Sequence, residues 1–68
     1  MQGPKGVEIK IGQVWQEVEP RFPDRFVTVV GLNEAADKVQ IQSTMCTWWS
    51  KAARFDGKIS GYKLWRDV

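Results

Sequence analysis

Alternation of apolar and polar residues is the main structural signal in this chain. Val7, Ile9 and Ile11 alternate with charged residues, and the same period of two resumes in the opposite phase at Val14. A period of two is typical of a strand with one buried face, and Gly12 between the two phases indicates a bulge or a tight bend. We therefore predict strands on both sides of Gly12.

The strongest strand signal lies over residues 26–32. β-Branched, aromatic or other apolar residues occupy both alternating sets there, a pattern that suits a central strand. Residues 33–37, NEAAD, carry Asn and Asp at their ends, and the alternation returns over residues 38–44 with Val39 and Ile41 on one side. Two such runs joined by five residues predict a β-hairpin.

Two further strands are predicted in the last third of the chain. Residues 45–50, MCTWWS, are apolar and rich in β-formers, and Tyr62 begins a final alternation from which Trp65 falls out of phase. Ser50 is a candidate cap for one short helical turn near residues 50–54, because its hydroxyl can accept an amide hydrogen bond.

The remaining segments are predicted to be loops, and the short strands between them indicate the fold class. Residues 19–25, EPRFPDR, cannot continue a central strand because proline lacks a ladder donor, and Phe22 is their only large apolar residue. Residues 1–6 predict a flexible leader, and residues 7–68 a single domain. Several short strands in so short a chain predict an all-β fold, a small five-stranded and strongly bent barrel whose closure hides the strand edges.

Composition excludes several classes of function. The 68 residues contain no His and one Cys, which rules out His-ligated zinc, Ser-His-Asp or Cys-His nucleophiles and an internal disulfide. Cys46 has no adjacent cation and is expected to be a small buried residue. Glu17, Glu19 and Asp24 lack the spacing of a calcium loop and are expected to be solvated. With no glycine-rich phosphate loop either, we predict no enzymatic activity, no metal and no cofactor.

The sequence favours a cytoplasmic protein with no membrane partner. The first ten residues lack the apolar core of an export signal, and no uncharged apolar run approaches the ~20 residues that span a bilayer. The lone thiol also suits a reducing compartment.

Charge is unevenly distributed along the chain. Residues 1–47 carry five basic and six acidic side chains, whereas residues 48–68 carry five basic and two acidic ones, a net charge of +3. Such a segment can meet phosphate or an acidic protein surface, although Lys and Arg on short edge strands also serve solubility alone.

Aromatic residues are interleaved with these cations. The predicted nucleic-acid-binding residues are Trp48, Trp49, Lys51, Arg54, Tyr62 and Lys63. Single-stranded nucleic acid requires flat rings on which bases stack and cations that follow the phosphates. Since neighbouring strand residues point to opposite faces, at most one of the two adjacent Trp side chains belongs to the core. A core this small also needs aromatic residues, so each Trp has a structural alternative.

The sequence is also compatible with two other classes of binding. An exposed Trp also suits a protein–protein or self-association surface, because Trp, Tyr and Arg are enriched at interface hot spots. Salt distinguishes the two, since phosphate binding weakens steeply with salt and a Trp-centred interface does not. The third class is an aromatic cage for a methylated cation, built from Trp15, Trp48, Trp49 or Tyr62 with Glu17 as the acid.

A series of short motifs also supports the fold. The chain has a G-x-x-W opening, an Arg-containing loop before a Val-rich strand, and an R-F-x-G…G-Y-x-L ending. The residues that form these motifs are Gly12, Trp15, Arg21, Arg25, Arg54, Phe55, Gly57, Gly61, Tyr62 and Leu64. In this order they resemble Src-homology-3-type small barrels and, more narrowly, a group of short hypothetical proteins from bacteria and phages. The resemblance implies a small β-barrel and no particular activity.

Overall fold

The computed structural model describes residues 1–21 and 24–68; Phe22 and Pro23, in the predicted loop at 19–25, lie outside the described residues. The strands are β1 (Val14–Glu17), β2 (Phe26–Asn33), β3 (Lys38–Gln42), β4 (Thr47–Lys51) and β5 (Tyr62–Arg66). They form one antiparallel sheet in the order β4-β3-β2-β1-β5, which confirms the all-β class and the central position of β2. In the same ranges, no helix is long and apolar enough to cross a membrane.

The sheet is open, so the predicted closure into a barrel is wrong. β4 pairs with β3 and β5 pairs with β1, and the two outer strands do not pair with each other. Closure requires a ladder between strands far apart in sequence, together with a matched tilt and stagger. Local alternation of apolar residues carries no information about that ladder.

One face of the sheet, the inner face, carries the core. The buried apolar residues are Ile9, Trp15, Val27, Val29, Val39, Ile41, Ala52, Phe55 and Tyr62. Phe55 follows a 3₁₀ turn at Ala52–Arg54 and packs edge-to-face against Trp15, with ring centroids 4.9 Å apart. Aromatic side chains each bury a large apolar area, which a small core needs. The opposite face of the sheet is the outer face.

The N-terminal segment packs against the core without forming the predicted strand at residues 7–11. The amino group of Met1 donates to the Ile9 carbonyl at 3.0 Å, and Ile9 N donates to the Met1 carbonyl at 2.7 Å. This folded-back arm buries Ile9 and leaves Ile11 exposed. Gly12 adopts a φ of +99°, a conformation that glycine tolerates best, which confirms the tight bend.

The predicted hairpin between β2 and β3 is confirmed. Asn33 Oδ1 accepts a hydrogen bond from Ala36 N at 3.2 Å and caps a 3₁₀ turn at Glu34–Ala36. Asp37 then takes a left-handed φ of 51° and leads into β3. Asn and Asp suit these two positions because their short polar side chains support turns and left-handed backbone.

Ser50 does not cap the short turn that follows β4. It lies within β4 on the inner face, opposite Val39, while Lys51 occupies the N-cap position of the Ala52–Arg54 turn without a side-chain cap. The Ser50 hydroxyl is buried and has no hydrogen-bond partner in the described part of the chain.

A β-bulge in β5 explains why Trp65 is out of phase. Leu64 lies opposite Trp15, whereas Arg66 lies opposite the adjacent Val14, so Trp65 is an extra residue in the ladder. Bulges re-aim side chains in this way, and periodicity alone cannot predict where they fall.

Candidate functional site

The structure divides the six predicted binding residues into two groups. Trp49, Lys51 and Lys63 lie on the outer face, whereas Trp48, Arg54 and Tyr62 line a cleft on the inner side of the sheet. Trp48 lies opposite Ile41 and is half-buried, while Trp49 lies opposite Gln40 and is 46 % exposed. The two adjacent Trp residues therefore point to opposite faces, as predicted.

The cleft has a volume of about 610 Å³ and balanced charges. Glu17 and Asp24 line it together with Arg25 and Arg54. Arg25 Nη1 lies 3.7 Å from Glu17 Oε1, and Arg54 Nε donates to the Ser60 carbonyl at 3.1 Å. The acidic groups offset the basic ones, so the cleft offers no excess of positive charge to a phosphate.

Tyr62 belongs to the core of the protein. It is 2 % exposed, and its ring centroid lies 4.9 Å from that of Phe55. The Arg54 guanidinium lies 5.4 Å from the centroid of the Tyr62 ring. This burial leaves Tyr62 no open ring face on which a base could stack, so neither Tyr62 nor its neighbour Arg54 contributes to an outer-face interface.

Two other predictions from the sequence differ from the structure. The four candidate cage aromatics do not converge on one site: Trp48 and Tyr62 line the cleft with Glu17, but Trp15 is buried in the core and Trp49 lies on the opposite face. Cys46 is exposed, not buried, because it ends the turn between β3 and β4.

Strand register determines which residues are neighbours on the outer face, because directly opposite residues of paired strands share a face. Four rows cross the outer face: Asn33–Lys38–Lys51, then Gly31–Gln40–Trp49, then Arg66–Val14–Thr28–Gln42–Thr47, and finally Lys63–Gln16–Phe26. Charged and aromatic residues lie at the margins of this surface, and amides and hydroxyls lie between them.

The outer face carries four cations and no carboxylate from the described strands. The cations are Lys38, Lys51, Lys63 and Arg66. Lys38 and Lys51 lie directly opposite each other, an arrangement in which like charges repel. Glu17, the one acidic residue within the strands as described, lies opposite Tyr62 on the inner face. None of the four cationic side chains forms an ion pair with a described residue.

Gly31 allows the Trp49 indole to lie along the sheet. A Cβ at Gly31 would come within 3.6 Å of Trp49 Cη2 and 2.7 Å of Gln40 Oε1. Since Gly31 is on β2 and Trp49 on β4, the indole extends across β3 and does not stand upright from the sheet. Glycine at this strand position thus permits a close approach of both neighbouring side chains.

A second aromatic group lies at the β5 side of the outer face. Trp65 is 57 % exposed, and its ring centroid lies 5.0 Å from that of Phe26 at an interplanar angle of 61°. Because Phe26 lies opposite Gln16, this pair is on the outer face. The face therefore has a partly exposed indole on each of its two outer strands.

Sequence reasoning placed the site in the C-terminal third and so missed Lys38 and Gly31, and the six predicted residues left out Trp65, which lies within that third. The outward direction of Lys38 follows from the alternation around β3, but its position beside Lys51 depends on the β3–β4 register. The sequence contains no signal for that register, because the turn between the two strands has no two-residue hairpin motif.

No protein-family model, curated protein or solved structure matches this chain. Within residues 1–21 and 24–68, no group of three His, Cys, Asp or Glu side chains is placed to hold a metal ion.

Proposed function

We propose that this protein is a non-enzymatic binding module that holds single-stranded nucleic acid on the outer face of its sheet. The observation that carries the proposal is an outer face with two partly exposed indoles and four cations and without a carboxylate from the described strands. Indoles provide surfaces for base stacking, and Lys and Arg neutralise phosphates. The cytoplasmic location and the Src-homology-3-like resemblance remain parts of this proposal.

A single strand fits this surface better than a duplex. The Trp49 indole lies along the sheet, and a base can stack on it only when that base is free of its own neighbours. Stacking on aromatic side chains contributes about 1–3 kcal/mol per base and tolerates any base. The two indoles lie on opposite outer strands, so one extended strand that contacts both must cross the sheet.

Repulsion between Lys38 and Lys51 also supports an anionic ligand. The two ammonium groups extend from directly opposite positions and have no described carboxylate partner. A phosphate between them replaces repulsion by two favourable contacts, which makes this pair a natural phosphate position.

The salt dependence of binding tests the proposal. A labelled oligonucleotide of about eight nucleotides is titrated with protein at about 50 and 200 mM salt, with Trp fluorescence as a second readout. If four phosphates are neutralised, the slope of log affinity against log salt is about −2.8, and affinity falls roughly 50-fold over this range. Absence of binding at the lower salt concentration would reject the proposal.

A matched pair of variants locates the interface. Lys38→Gln/Lys51→Gln removes two outer-face cations and should flatten the salt slope by about 1.4. Lys5→Gln/Lys58→Gln changes the net charge equally at exposed positions outside the strands and should leave the slope unchanged. Equal effects of the two double variants would show that net charge, and not this face, governs binding.

Self-association through β4 is the second candidate function. In the described ladders β4 is paired on one side alone, and such a free edge can pair with another strand. Antiparallel pairing of two β4 strands centred on Trp49 would place the two indoles opposite each other. Sedimentation at increasing concentration tests this, and Trp49→Lys should abolish any dimer because it creates a like-charge pair at the centre. A wild-type protein that stays monomeric throughout excludes it.

A further inference from the structure

Gln40 occupies a distinctive position on the outer face. It lies directly opposite both Gly31 on β2 and Trp49 on β4, so it is in the middle of the row that carries the indole. Its Oε1 would be 2.7 Å from a Cβ at Gly31, and the Trp49 ring edge extends to the same glycine. The amide of Gln40 therefore lies next to the surface on which the proposed function stacks a base.

The Gln40 amide is not used to stabilise the fold. It forms no hydrogen bond with any residue in the described ranges, although it is half-buried beside the indole. Gln13 provides the contrast within the same chain: its amide oxygen accepts from Trp15 Nε1 at 3.0 Å, and its nitrogen donates to the Glu8 carbonyl at 2.9 Å. Gln13 holds structure together, whereas Gln40 has its donor and acceptor free for a ligand.

We propose that Gln40 recognises the edge of the base stacked on Trp49 and gives this face a preference for adenine. This inference rests on the proposed function, because it assumes that a base stacks at Trp49. A glutamine amide can pair in bidentate fashion with adenine N6 and N7, donating to N7 and accepting from the N6 amino group.

The position of Gln40 makes it a better candidate than the other outer-face glutamines. Gln42 lies two residues further along β3, roughly 7 Å away, and is opposite Thr47 and not opposite the indole. Gln16 is on β1, two strands from Gln40, and already has an interaction partner. Of these three glutamines, Gln40 is the one that is adjacent to Trp49 and whose side chain forms no hydrogen bond with a described residue.

The experiment compares homopolymers. Labelled oligo(dA), oligo(dC) and oligo(dT) of about eight nucleotides are titrated with the full chain at about 50 mM salt. The wild-type protein should bind oligo(dA) roughly 5- to 100-fold more tightly than the other two, the range expected for one bidentate amide–adenine pair. Gln40→Met keeps the length and packing of the side chain without its amide, and should bring the three affinities together while oligo(dC) affinity stays unchanged.

Two further variants complete the design. Gln40→Glu keeps the shape but loses the donors and should also lose the adenine preference, which guards against a packing effect specific to Met. Gln2→Leu removes an exposed amide in the N-terminal arm and should preserve the preference.

The outcomes separate the inference from the function on which it rests. Binding of all three homopolymers with equal affinity, or an adenine preference that survives in Gln40→Met, overturns the role of Gln40 and leaves single-strand binding intact. Failure to bind any homopolymer at low salt overturns both proposals.

Discussion

The indole nitrogen of Trp15 donates a hydrogen bond to Gln13 Oε1 at 3.0 Å in the interior of the protein. Both residues are 1 % exposed. The same oxygen accepts from Lys10 N at 2.9 Å, and Gln13 Nε2 donates to Asp67 Oδ1 at 2.9 Å. One buried amide thus joins the N-terminal arm, the first strand and the C-terminal residues.

Replacement of this amide should destabilise the protein. Gln13→Leu leaves Trp15 Nε1 buried without a partner and should lower the free energy of unfolding by roughly 2–3 kcal/mol, because an unsatisfied buried donor costs about 1–3 kcal/mol. Urea unfolding measures this change. Gln2→Leu, at an exposed amide, is the control and should stay within about 0.5 kcal/mol of wild type. A stable Gln13→Leu protein would contradict the structural role assigned to this residue.

The pH dependence of stability should contain a contribution from Asp67. The hydrogen bond from Gln13, assisted by Val68 N, lowers the pKa of Asp67 below its ordinary value of 3.8. A lowered pKa means that the stabilisation is complete above about pH 4–5 and is lost as pH falls through the folded-state pKa. Asp67→Asn should therefore reduce the loss of stability below that pH, as measured by urea unfolding at several pH values. Identical acid profiles for the two proteins would count against the interaction.

Trp15 should be far more important for stability than Trp65. Trp15→Ala removes a buried ring that contacts Phe55 and should lower the free energy of unfolding by about 3–5 kcal/mol. Trp65→Ala removes a ring that is more than half exposed and should have a smaller effect. Thermal unfolding compares the two, and an unchanged melting temperature in Trp15→Ala would show that the ring is not part of the core.

Removal of the Ser50 hydroxyl should be harmless or favourable. The hydroxyl is buried without a hydrogen-bond partner in the described structure, so Ser50→Ala removes a desolvated polar group and no bond. The melting temperature should stay constant or rise by several degrees, equivalent to as much as about 1 kcal/mol. A clear decrease would reveal a partner for this hydroxyl.

Gly31→Ala tests whether the orientation of the Trp49 indole matters for binding. The added methyl group would meet Gln40 Oε1 at 2.7 Å and Trp49 Cη2 at 3.6 Å, and should displace the amide and disturb the indole. Affinity for a single-stranded oligonucleotide should fall about tenfold, within the range of one stacking contact. Val30→Ala, at the exposed neighbouring position, is the control and should bind as the wild type does. Unchanged affinity in Gly31→Ala would show that Gly31 does not contribute to the binding surface.

Local sequence signals predicted much of the sheet. The two-sided apolarity of residues 26–32 identified the central strand, and the polar residues from Asn33 to Asp37 identified the hairpin. Adjacent Trp48 and Trp49 were correctly assigned to opposite faces, because that alternation is a property of any strand.

Features that depend on distant parts of the chain were not predictable in the same way. Val7 and Ile9 do pack against the core, as their alternation with polar residues suggests. The segment nevertheless forms a folded-back arm and not a strand, with one isolated bridge as its backbone pairing over residues 7–11. The open sheet and the β3–β4 register likewise depend on long-range pairing. Alternation within β4 and β5 separates the faces of the candidate strand residues, but the burial of Tyr62 and the position of Arg54 beside its ring depend on packing that a periodic pattern does not contain.

The one carboxylate of the described strands, Glu17, lies on the inner face and the four strand cations lie on the outer face, an asymmetry that the small net charge of +2 conceals. Cations gathered on one surface tend to orient a protein in the field of a polyanion before the two molecules touch. If a polyanion is the ligand, as proposed, this asymmetry should raise the association rate as well as the lifetime of the complex.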